Sequence, residues 1–132
     1  MGKLIKITPD LEVSAVEWPE GAGYKFLQEQ IGGHIEHVRP VRLYEWLKKR
    51  NLPEHYCMLV DEEGLLKDLP FNPLGSYLYK TDQHGCPIAG PILIVQEIED
   101  DFAPIAAMDF GELLMLLKLI IGSLGGGNYV SR

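Results

Sequence analysis

"IAGPILIVQEI" (Ile88–Ile98) is a short, nearly continuous apolar run rich in β-branched side chains. Its length and composition read as a strand buried on both faces at the centre of a sheet. Other strand signals precede it. "KLIKI" (Lys3–Ile7) and "EVSAVEW" (Glu12–Trp18) read as two strands joined by the turn residues Thr8, Pro9 and Asp10, and "HYCMLVDEEG" (His55–Gly64) as a strand running into an acidic glycine turn.

Helical signals fall between and after these strands. In "EWPEGAGYKFLQEQI" (Glu17–Ile31), Pro19 suits a first helical position, Tyr24, Leu27 and Ile31 have helical spacing, and Gly32 and Gly33 are stop signals. The spacing predicts a helix over 19–31, followed by a short strand with His34 and Glu36 on one face and Ile35 and His37 on the other. His34 and His37 therefore do not converge as half of a metal site. "VRLYEWLKKR" (Val41–Arg50) predicts a helix with Val41, Tyr44 and Leu47 on one stripe, while 65–87, rich in Gly, Pro and Asn, reads as irregular. Asp109 and Glu112 form a capping-box pattern at the head of a last helix. From Leu113 to Ile121 only Lys118 is polar, so that helix needs partners on several sides, and a homo-oligomer is expected through it. The expected architecture is α+β: a small, mostly antiparallel sheet with one helix after the second strand and an apolar C-terminal helix. A single domain spans 1–121, and 122–132 is expected to be a flexible tail.

The chain has 132 residues, 46% of them hydrophobic, enough for one domain with a real core. A formal net charge of −7 argues against non-specific binding to nucleic acid or anionic membrane, both of which reward a basic surface. The start "MGKLIKI" is charged and strand-like, and no run of 18 apolar residues occurs, so neither a signal peptide nor a membrane span is expected. Cys57 and Cys86 make no disulfide framework and fit free thiols in a reducing cytoplasm, that of a host cell.

Three pieces in combination, "LQEQIGGHIEHV" (Leu27–Val38), "LVDEEGLLKDLPFN" (Leu59–Asn72) and "GCPIAGPILIV" (Gly85–Val95), resemble the DUF3846 family. Its members are small proteins of phages and conjugative elements, with the pattern Gly-Gly-x-Ile-Glu, Asn-Glu-Glu-Gly, Leu-Pro-x-Asn and Ile-x-Gly. Asp61 stands where the pattern has Asn, and 39–55 looks like an insertion carrying its own helix. The resemblance implies no particular chemistry.

Candidate chemistry is sparse. Glu36 lies in a strand near the Gly-Gly pair, and if the resemblance holds Asn72 comes close to it, which suits a polar ligand contact. Glu62 and Glu63 read first as a solvated turn. No catalytic fingerprint is present, and no catalytic residue, metal ligand or cofactor is assigned. "HYC" (His55–Cys57) and "HGC" (His84–Cys86) would supply a Cys2His2 set only if the two segments met on strands. The basic cluster says more. Arg39, Arg42, Lys48, Lys49 and Arg50, opposed only by Glu45, give 39–50 a charge of +4 against −11 for the rest. With Tyr44 and Trp46 among them, Arg39 and Arg42 supply the guanidinium-aromatic mixture that grips a phosphate and stacks a base. The expected function is non-enzymatic binding of a small anionic ligand, such as a nucleotide signal of host defence, through Glu36, Arg39, Arg42, Tyr44, Trp46 and Asn72. Two alternatives stand beside it: an inhibitor that docks a host protein through acidic surface such as "QEIEDD" (Gln96–Asp101), and a hydrolase using Glu36 with Glu62 or Glu63.

Overall fold

A computed structural model describes the backbone of residues 2–130 and the side chains of 2–83 and 85–124. Its elements are β1 (Gly2–Ile7), β2 (Val13–Trp18), α1 (Tyr24–Ile31), β3 (Ile35–Val38), α2 (Val41–Lys49), β4 (Tyr56–Asp61), α3 (Pro73–Tyr79), α4 (Thr81–His84), β5 (Ile92–Ile98), β6 (Asp101–Ala103) and α5 (Ala107–Val130). The expected tail, 122–132, lies outside the described residues at 131–132 and, for side chains, beyond 124.

The strands form one antiparallel sheet in the order β2-β1-β5-β4-β3, so the architecture is α+β with the apolar run of β5 at its centre. β5 pairs with β4 from Ile92 to Gln96; its other edge is shared by β1, at Ile92–Ile94, and β6, at Gln96–Ile98. Alternation explains why β4 and β5 look continuously apolar. Tyr56, Met58, Val60, Ile92 and Ile94 point into one core, while Cys57, Leu59, Leu93 and Val95 point into another. α1 covers the second face through Leu27 and Ile31, and α2, α3 and α5 cover the first.

Four local readings change. Pro19 opens a turn rather than a helix: Ala22 N–H donates to the Pro19 carbonyl, Trp18 Nε1 donates to the Ala22 carbonyl, and α1 starts only at Tyr24. The α2 stripe is Leu43 and Leu47, with Val41 exposed, because helix packing needs side chains one turn apart aimed at the sheet. Segment 65–87 is not irregular but contains α3 and α4; Asn72 caps α3, and Pro73 occupies its first turn. Asp109 caps nothing. It lies inside the first turn of α5, where it accepts a 2.6 Å hydrogen bond from the buried Tyr56 hydroxyl.

α5 buries Leu113, Leu116, Leu117 and Ile120 in the core, whereas Met108, Met115 and Leu119 are 87%, 71% and 52% exposed. Among the described residues no helix is long and apolar enough to cross a membrane.

Candidate functional site

Two adjoining cavities, of about 290 and 530 Å³, run along the edge strand β3 and share Glu36, Val38 and Tyr79 in their walls. The smaller also has Glu62 and Cys86, with Val60 and Ile88 beneath; the larger adds His37, Arg39, Lys80 and Gln83. The smaller cavity is thus lined by carboxylates, and the larger sets cations beside Glu36. β3 supplies Glu36, the segment after it supplies Arg39, and the end of α3 supplies Tyr79.

The six residues expected to form the site divide. Glu36 and Arg39 line the cavities and are exposed. Tyr44 lies beside them, half-buried, with the Arg39 guanidinium 5.3 Å from its ring centre; burial raises its hydroxyl pKa, against the opposing pull of Arg39. Arg42 and Trp46 are engaged elsewhere, fastening α2 to α3. Arg42 donates to the Tyr77 carbonyl at 3.0 Å and to Asp82 at 3.2 Å and stacks on the Tyr77 ring, while Trp46 Nε1 donates to the Tyr77 hydroxyl. The Arg42 hydrogen bond holds Asp82 below the usual carboxylate range. Asn72 is wholly buried. Its amide donates to the carbonyls of Ile7 and Gly90 and its oxygen accepts from Gly75 N–H, which leaves it nothing to offer a ligand. Lys80, paired with Glu45 at 2.9 Å, is the wall cation that the sequence reading missed. It lies at the end of a helix hidden inside the segment read as irregular.

The His-x-Cys tripeptides do not meet as a four-ligand set. Cys57 points into the α1-side core, whereas Cys86 is exposed in the cavity wall on the other face. "HGC" spans a helix end rather than a strand, and the His84 side chain is outside the described residues. Cys57 meets a different histidine: among the described residues, His37, Cys57 and Glu97 bring one donor atom each to within 4.8 Å of one another. Burial, with the charge of Glu97 adding to it, pushes the Cys57 thiol up to about 12.

The stretches that carried the family resemblance converge at one end of the sheet. Asn72 N–H donates to the Ile88 carbonyl at 2.7 Å and Gly90 N–H to the Pro70 carbonyl at 2.8 Å, which clasps "LPFN" onto "IAG". Lys67 bridges Asp61, at 2.8 Å, to the Gly32 carbonyl. Gly33 leaves the space that this lysine occupies, since a Cβ there would lie 2.6 Å from Nζ. A family model matches residues 2–115. The chain belongs to DUF3846, a domain of unknown function. No curated protein and no solved structure matches the chain. Most of the DUF3846 pattern in this chain, including Gly33, Asn72 and Gly90, holds the fold together. Glu36 and Glu62 differ in facing the cavity.

Proposed function

We propose that this DUF3846 protein binds a small anionic ligand of nucleotide type in the cavities along β3. The observation that carries the reading is the arrangement of the walls, with Arg39 and Lys80 in the larger cavity, Glu62 in the smaller and Glu36 between them in both. A nucleotide has the complementary chemistry: a phosphate for the cations, and sugar hydroxyls or exocyclic amines that donate to carboxylates. The larger volume falls in the range of small-molecule sites, roughly 300–1,000 Å³, and the smaller lies at its lower edge. The setting in phages and conjugative elements that the resemblance implies would suit a signal nucleotide of host defence, held in the host cytoplasm rather than converted.

Thermal unfolding against a panel of mononucleotides and cyclic dinucleotides tests this. A binder raises the melting temperature, Arg39→Ala weakens it at least about tenfold, and Arg42→Ala, once folded, leaves it bound. Ligand recovered intact supports holding; cleaved ligand moves the reading to a hydrolase using Glu36 and Glu62. No stabilisation by any member of the panel overturns the nucleotide reading.

A second reading, docking of a host protein, has one observation in its favour. Glu99 and Asp100, in the β5–β6 turn, both adopt positive φ (49° and 67°), a conformation that favours glycine or asparagine. Exposed acids are thus kept at a strained turn. Such a complex weakens steeply with salt.

A further inference from the structure

On the α1 face of the sheet, three adjacent strands each present one metal-binding side chain at neighbouring register: His37 from β3, Cys57 from β4 and Glu97 from β5. The pairing explains the convergence. His37 is paired with Leu59 and Glu97 N–H donates to the His55 carbonyl, so each flanks Cys57 diagonally, two residues along β4. The imidazole lies edge-on to Phe102 of β6, with ring centres 5.6 Å apart, and its Nε2 is 3.4 Å from a Glu97 oxygen. Cys57 itself has no solvent exposure.

We propose that His37 Nε2, the Cys57 thiolate and a Glu97 carboxylate oxygen form a three-ligand site for a divalent ion of borderline softness, zinc first. Sulfur and imidazole together select against magnesium and calcium, which take oxygen ligands. Zinc bonds of about 2.0–2.3 Å in a tetrahedron put donor atoms roughly 3.3–3.8 Å apart. The His37–Glu97 distance already meets that, and the widest separation, 4.8 Å, closes with a movement of roughly 1 Å. His37 and Glu97 side chains are each about one-third exposed, so they can make that movement and give the ion a route in. The fourth position goes to water. Binding breaks the Cys57 S–H bond, forms S–Zn and releases one proton to solvent. This site does not rest on the nucleotide reading, although His37 also lines the larger cavity.

The test uses metal alone. Cobalt(II) is titrated into reduced, chelator-treated protein and followed by the thiolate-to-cobalt charge-transfer band and the d–d bands, with zinc affinity read by competition. The site predicts one equivalent bound with tetrahedral bands, at least tenfold weaker zinc binding in His37→Ala and Glu97→Gln, and unchanged binding in Cys86→Ser. His37→Ala and Glu97→Gln change partly exposed side chains, so they report even where Cys57→Ser fails to fold. Absence of the charge-transfer band, its loss in Cys86→Ser, or zinc affinity unaltered in His37→Ala overturns the assignment.

Discussion

Tyr56 carries more of this structure than its place in "HYCMLVDEEG" suggests. It has no solvent exposure, and its hydroxyl donates to Asp109, so the start of α5 is tied to the middle of the sheet by one hydrogen bond. Tyr56→Phe keeps the ring and strips the buried carboxylate of its donor, at a cost of about 2 kcal/mol in urea unfolding at neutral pH. Burial first, and then the hydrogen bond to Asp109, raise the phenol pKa above its ordinary 10.0. The native state therefore keeps a proton that the unfolded chain releases. The stabilisation is complete below about pH 10 and is lost as pH rises beyond it. Unfolding midpoints followed from neutral to strongly alkaline pH should fall for the native sequence, and fall less in Tyr56→Phe. Asp109 was visible in the sequence as a helix-start residue, but its partner 53 positions away was not. Local spacing identifies residue types suited to a cap; it cannot say that a distant hydroxyl will claim the carboxylate instead.

Elements were legible in proportion to how far their own residues determine them. β5 stands out because burial on both faces leaves no polar alternation, and α1 and β3 were placed by the Gly-Gly stop between them. α3 went unseen, although Asn72-Pro73 is a start signal, because the glycines and prolines around it outweighed one cap. That cap is unusually consequential: the same side chain that accepts from Gly75 also donates to Ile7 on β1 and to Gly90 before β5. Asn72→Ala should cost about 3 kcal/mol, since it removes a cap and leaves two buried carbonyls without donors. Asn72→Asp keeps the cap oxygen but turns a buried carboxylate oxygen onto those two carbonyls, so its unfolding midpoint at neutral pH should be no higher than that of the alanine variant; an alanine variant as stable as the native chain contradicts this account. The basic segment teaches the converse. Its charge separation was real, but Arg42 and Trp46 serve the α2–α3 contact, and only Arg39 of the expected pair reaches the cavity wall.

For the whole molecule, the open question in the sequence was what covers an all-apolar C-terminal helix. Two sides are answered by the core. The side bearing Met108, Met115 and Leu119 is not, and the homo-oligomer expected from the sequence becomes a proposal about that face alone. Leu116, 1% exposed, belongs to the core and is the wrong residue to probe. Met115→Glu should reduce the solution mass measured by light scattering while leaving the melting profile of a folded protein, whereas a native chain of monomer mass at high concentration removes the proposal. The sheet also has a history written into its order. Its central strand, Ile92–Ile98, is made after the two long strands that flank it, Gly2–Ile7 and Tyr56–Asp61. During synthesis the β1–β2 hairpin and the β3–β4 pair leave the ribosome as two separate ribbons, each with an unpaired apolar edge. Until Ile92–Gln96 emerges no strand bridges them, so a nascent chain stalled or truncated before that point is expected to be a substrate for chaperones rather than a smaller version of the domain.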